Sequence, residues 1–189
     1  MSEARIFVEG EGNLCREGFT SLLTKAGLRG RVPRIVACGA RNRAYEQFRK
    51  HHLDGKPAFL IVDSEDPVTA PEKTWDHLKQ RDKWDCPTGA TDKQVFFMMT
   101  CMETWIISDR DALKRHYGQL QESALPNSTP TDLESIPRDK MLKALENATR
   151  TCSNAYKKGR RSYSVFSEII PENLPAFQRM RDILKEALQ

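Results

Sequence analysis

Apolar residues in this chain fall into short unbroken runs separated by stripes at helical spacing. Residues 5–8 (Arg-Ile-Phe-Val), 34–38 (Arg-Ile-Val-Ala-Cys) and 58–62 (Ala-Phe-Leu-Ile-Val) read as three buried strands. Between them, Phe19, Leu22, Leu23 and Ala26 predict a helix that stops at Gly27. Tyr45, Phe48 and Leu53 predict a second helix over residues 42–52. The rhythm is strand, helix, strand, helix, strand. Apolar strands joined by helices of this length imply right-handed crossovers and a parallel sheet with both faces covered. A helix over 72–80, a fourth strand over 94–100 and a helix reaching residue 117 follow. Residues 118–137 are rich in Ser, Thr and Asn and contain Pro126, Pro130 and Pro137, so they read as an exposed loop or linker. Beyond them a helix is predicted over 138–150, a basic turn over 156–163 and a last helix within 171–188. The expected organisation is an α/β core over 1–117, the loop or linker over 118–137, and a helical extension over 138–189 packed on the core.

Acids sit where these strands end. Glu9 closes the first, Asp63 closes the third, and Glu103 follows the fourth. In open parallel sheets the functional crevice lies beyond the carboxyl ends of the strands, so acids distant in sequence can meet there. Asp63 and Glu65, two apart in an extended segment, can face the same side, and Asp66 adds a further carboxylate. Crowded carboxylates raise one another's pKa and call for a counter-charge. An all-oxygen set suits Mg²⁺ or Mn²⁺ better than Zn²⁺. Glu9 can alternatively act as a general acid or base. The same acids also fit a polar loop, a turn cap or a helix N-terminus. Arg41 and Arg43 follow the second strand on the same face and have the fork geometry for phosphate. Lys157, Lys158, Arg160 and Arg161, flanked by Tyr156 and Tyr163, form the densest basic patch. Such a patch is suited to nucleic acid and equally describes a solvated face.

Composition narrows these readings slightly. The net charge of +4 permits a nucleic-acid partner without requiring one. Five cysteines without a CxxC pair, and four histidines without metal-ligand spacing, argue against a zinc site or a disulfide framework. No apolar run approaches the roughly 20 residues of a membrane span, and residues 1–5 lack a signal-peptide pattern. The expected compartment is the cytoplasm, with no membrane association. The turn Glu9-Gly10-Glu11-Gly12 lacks the Lys-Ser/Thr of a P-loop and carries the wrong charge for phosphate.

The segments Ile6-Phe7-Val8-Glu9-Gly10-Glu11-Gly12 and Leu60-Ile61-Val62-Asp63-Ser64-Glu65-Asp66 together resemble the TOPRIM domain of topoisomerases, bacterial primases and OLD-type nucleases. By that resemblance Glu9 stands for the catalytic glutamate, and Asp63 and Glu65 for the DxD pair. The second aspartate is a glutamate here. A small TOPRIM-like group is similar over nearly the whole chain through three motifs. Here these are residues 62–66, Cys101-Met102-Glu103-Thr104-Trp105 with Asp109, and Tyr156-Lys157-Lys158-Gly159. The resemblance implies an Mg²⁺-dependent (or Mn²⁺-dependent) nuclease acting on RNA or DNA. It also implies a toxin-like role in phage defence beside an ATPase partner. Glu9, Asp63 and Glu65 would be catalytic and metal-binding, with Asp66 and Glu103 as further ligands. Arg41, Arg43, Lys157 and Lys158 would hold substrate, and a homodimer is compatible. The alternative is a non-catalytic TOPRIM-like subunit that docks on the ATPase, which the Asp63/Glu65 departure favours.

Overall fold

Residues 4–189 are described by the structure, a computed structural model, with the backbone alone at Arg160. Residues 1–3, part of the segment examined for a signal peptide, lie outside it. Four strands form a parallel sheet: β1 (Arg5–Val8), β2 (Arg34–Ala37), β3 (Ala58–Asp63) and β4 (Val95–Met98). Their spatial order is β2-β1-β3-β4. The chain leaves β1 in one direction to build β2. It then crosses back to build β3 and β4 on the other side. The order therefore reverses between β1 and β3, and a crevice opens beyond their carboxyl ends.

Alternate strand residues feed two cores, because side chains in a strand point to opposite faces in turn. Ile6, Val8, Phe59, Ile61, Phe96 and Met98 join one apolar cluster. Phe7, Leu60, Val62, Val95 and Phe97 join the other. Helices α2 (Arg41–Leu53) and α3 (Thr74–Asp82) cover the second face through Tyr45, Phe48, Trp75 and Leu78. The first face carries α1 (Gly12–Leu23), α4 (Met102–Ser108), α5 (Arg110–Tyr117), α7 (Arg138–Thr149) and α8 (Pro175–Ala187), with the short α6 (Pro130–Leu133). Both faces are covered, which is why β3 is buried at all six positions.

Helix α1 runs into a wider turn over Thr24–Leu28 and ends at Gly27, whose φ of 92° is open to glycine at little cost. The helix expected up to residue 117 is two helices. Asp109 breaks it, accepting from the Ala112 backbone N–H to cap α5 and from the Ile170 N–H to anchor the later chain. Residues 118–137, read from composition as an exposed loop or linker, hold a turn at Glu122–Ala124 and α6, and they bury Leu125 and Leu133 in the core. The basic turn expected over 156–163 runs into a 3₁₀ segment, Arg160–Ser167. No helix among the described residues is long and apolar enough to cross a membrane.

The Arg160–Ser167 segment lies directly on α1 because Gly18 has no side chain. A Cβ there would stand 2.7 Å from the Tyr163 carbonyl oxygen and 3.0 Å from the Phe166 Cβ. Alanine at a helix interior normally gains about 1 kcal/mol over glycine. Here the clash with backbone reverses the sign, and Gly18→Ala is expected to cost about 1–3 kcal/mol, read as a lower midpoint in urea unfolding.

Candidate metal centre

The crevice at the strand reversal gathers three carboxylates. Glu9 follows β1, Asp63 ends β3, and Glu65 lies two residues on. One carboxylate oxygen of each falls within 4.8 Å of the other two. Asp63 is 5% exposed, and its Oδ1 has no hydrogen-bond partner among the described residues; neither has the Oε2 of Glu9. Buried carboxylate oxygens are nearly always satisfied. Two oxygens without hydrogen bonds in one group of close carboxylates fit a hard cation with oxygen ligands.

Electrostatics agree with the geometry. Burial pushes the Asp63 carboxyl well above its ordinary range, and the neighbouring carboxylates of Glu9, Glu103 and Glu65 push the same way against Lys158. Glu9 is raised chiefly by burial, with Glu65 adding to it. Arg41, Arg138 and Lys158 act in the opposite sense. The protein thus holds a cluster of acids that a divalent cation would relieve.

Glu65 reaches the cluster by a route that strand periodicity does not describe. It has left the strand and sits at φ 68°, in the left-handed region that non-glycine residues occupy at a cost. The surrounding bonds hold it there. The N–H groups of Ser64 and Glu65 donate to the carbonyls of Met98 and Thr100 at 3.0 and 2.9 Å, extending the β3–β4 ladder past the strands. His77 Nε2 donates to the Ser64 carbonyl at 2.9 Å, and the Ser64 hydroxyl donates to the Asp66 carbonyl at 2.7 Å. Arg41 donates to the carbonyl of Asp63. On the β1 side, Gly10 and Gly39 exchange backbone hydrogen bonds of 2.9 and 2.6 Å. Gly10 has φ 113°, and a Cβ there would collide with the Tyr163 hydroxyl. That hydroxyl donates to the Glu9 carbonyl at 3.0 Å.

The other expected site residues take different places. Asp66 is not in the three-acid group; it is largely exposed and pairs with Arg81 at 3.2 Å. Glu103 lies in the first turn of α4 and is fully buried. Its Oε1 accepts from the Tyr156 hydroxyl at 2.5 Å, and Lys158 Nζ stands 3.7 Å away. Its Oε2 has no hydrogen-bond partner among the described residues. It is also outside the group of three, although its charge reaches Asp63. Arg41 is gripped by Asp82 through two bonds of 3.1 and 2.8 Å, lies over Trp84, and approaches Glu9 at 3.9 Å. Burial alone would raise Asp82, but its bonds from Arg41 and Arg81 hold it below the ordinary carboxylate value. Arg43 and Lys157 are exposed.

Sequence reasoning missed Arg138 and Arg81. Arg138, at the start of α7, bonds Glu65 directly, and Arg81 of α3 stands 4.0 Å from the same carboxylate. Neither belongs to a local motif near the acids. Their role depends on how α7 and α3 are placed, which spacing along the chain does not reveal. The centre therefore combines three close carboxylates, the nearby Glu103, and a surround of Arg41, Arg81, Arg138 and Lys158.

Proteins with curated descriptions give no match to the chain. Among solved structures, the C-terminal region of the Burkholderia pseudomallei OLD protein is similar in fold. Its TM-score is 0.51, with 16% identity, and the match covers 100% of both chains. The chain thus has the α/β fold expected from its strand–helix rhythm and from the resemblance of its motifs, a four-stranded parallel sheet flanked by helices. The model of the family described as "Domain of unknown function (DUF4276)" matches residues 9–185, nearly the whole chain, and the protein belongs to that family.

Proposed function

We propose that this protein is a divalent-metal-dependent nuclease that hydrolyses phosphodiester bonds of nucleic acid. One observation carries the reading: Glu9, Asp63 and Glu65 converge at the strand reversal, and an oxygen of Glu9 and one of Asp63 have no hydrogen-bond partner among the described residues. Those three residues would hold Mg²⁺ or Mn²⁺, with the charge of Glu103 reaching Asp63. A bound cation of this kind supplies Lewis-acid activation of water and of the phosphoryl group. The chain's own residues do the rest. Glu9, its pKa raised, can accept a proton from water or return one to a departing oxygen. Lys158 and Arg138 stand where they can neutralise charge on a phosphate. Arg41 is a positioning residue, since its bonds to Asp82 and to the Asp63 carbonyl fix the loop that carries the acids.

The fold likeness to part of an OLD protein supports this reading without reaching the reaction. A toxin-like role in phage defence, under the control of an ATPase partner, belongs to the same proposal and rests on the sequence resemblance. A second reading, a non-catalytic subunit docking on that ATPase, is favoured by the Arg138–Glu65 pair, which already engages one of the three acids.

The test is cleavage of labelled total RNA and of plasmid DNA in Mg²⁺, Mn²⁺ or EDTA, with wild type and Glu9→Gln compared. Cutting that needs metal and falls by about 10²-fold or more in the variant is expected. Equal cutting by both proteins, or cutting in EDTA, would overturn the assignment of these acids. Absence of cutting by wild type, alone and with the ATPase and nucleotide, would favour the docking subunit.

A further inference from the structure

We infer that the cavity beside the acidic cluster binds one nucleotide of a single-stranded nucleic acid, next to the bond the acids would cleave. The inference deepens the proposed function and rests on it for the cleavage step, though not for the binding itself.

The cavity has a volume of about 510 Å³, in the range of small-ligand pockets. Tyr117 and Tyr156 line it and are themselves buried, at 6% and 4% exposure. Leu14 of α1 adds an apolar wall. It is one of two large hydrophobic residues left exposed among the described residues, at 42%. Lys157 and Arg161 are exposed cations on the lining, and neither has an ion-pair partner among the described residues. Ser162 lines this cavity and also a smaller one, about 190 Å³, that contains Glu9 and Lys158. The two spaces thus share a wall at Ser162, whose hydroxyl is tied to the Gly159 carbonyl at 2.6 Å.

This combination matches a nucleotide better than a bare anion. An apolar and aromatic lining suits a base, and two unpaired cations suit the phosphates that flank it. A base still stacked in a duplex cannot reach between the side chains of such a cavity, whereas an unstacked base can. The lysine pair is divided between two tasks. Lys158 turns to Glu103 and the acids, while Lys157 faces the nucleotide cavity.

The experiment is fluorescence anisotropy of fluorescein-labelled oligothymidylate and oligouridylate in EDTA, where no cleavage is needed. Wild type is compared with a Lys157→Ala/Arg161→Ala double variant and with Leu14→Ala. The double variant is expected to bind about tenfold or more weakly. Its slope of log affinity against log salt should be shallower by about 1.4, some 0.7 for each cation removed. Leu14→Ala is expected to weaken binding with the salt slope unchanged, because it removes apolar contact and no charge. Whichever oligomer binds more tightly identifies DNA or RNA. Failure of wild type to bind either oligomer, or unchanged affinity in both variants, overturns the inference. Intact binding without metal-dependent cleavage would overturn the proposed reaction and leave the nucleotide site standing.

Discussion

Asp63→Asn is expected to stabilise the metal-free protein and to abolish its response to metal. Unfolded, Asp63 is ionised at neutral pH. Folded, it is buried at the end of β3, close to Glu9 and Glu65, with an oxygen that no described residue bonds. Its pKa is driven well above the ordinary 3.8 by burial first and by the neighbouring carboxylates second. Folding must therefore bury the charge or take up a proton, and either costs free energy. Asparagine keeps the shape and removes that cost. A gain of about 2 kcal/mol corresponds to a melting temperature higher by about 4–8 °C at this chain length. Mg²⁺, which should raise the melting temperature of wild type, should leave the variant unmoved, and nucleic-acid cleavage should fall by about 10³-fold. A variant less stable than wild type without metal would mean that Asp63 is a structural hydrogen-bond acceptor and not a strained ligand.

Glu134→Gln is expected to flatten the pH dependence of stability. Glu134 follows α6, and its Oε1 accepts from the Ala176 N–H at the start of α8 at 3.0 Å. Burial pushes its carboxyl up from 4.5 to about 7, and the bond from Ala176 only partly opposes this. The folded protein therefore keeps a proton that the unfolded chain has already released. Its contribution is fully present below about pH 4.5 and is lost as the pH rises to about 7. The span corresponds to at most about 3 kcal/mol. Glutamine retains an acceptor for Ala176 and does not titrate. Urea unfolding at about pH 5 and about pH 7.5 should show wild type losing up to about 2 kcal/mol more than the variant across that interval. Equal losses would show that burial at this contact does not hold the proton.

The sheet was legible because its strands are unbroken apolar runs, and both faces of such strands must be covered. Glu9 and Asp63 were legible for the same reason, since an acid that interrupts the end of a buried strand marks the open end of the sheet. Glu65 was identified for a reason the structure replaces. An extended Asp-x-Glu would place the two side chains on one face, yet Glu65 joins Asp63 from a left-handed turn fixed by Ser64, His77 and the β3–β4 ladder. Asp66 looked equivalent to Glu65 in sequence, but the same turn sends it outward to Arg81. The pairing of Glu103 with Tyr156 spans 53 residues, and that of Arg138 with Glu65 spans 73. Long-range pairings of this kind are set by helix packing on the sheet, and no local spacing carries them. The loop or linker read over 118–137 rests on its Ser, Thr, Asn and Pro residues, which do not show how the segment is held. Leu125 and Leu133 are enough to tie it to the core.

The most direct measurement is a Mn²⁺ titration followed by electron paramagnetic resonance, with wild type and Asp63→Asn side by side. Free Mn²⁺ signal should be lost to a saturable site in wild type, and the site should be displaced by Mg²⁺ and missing or at least about tenfold weaker in the variant. Saturable binding of equal strength in both proteins, or none in wild type, would contradict a metal centre built on Glu9, Asp63 and Glu65.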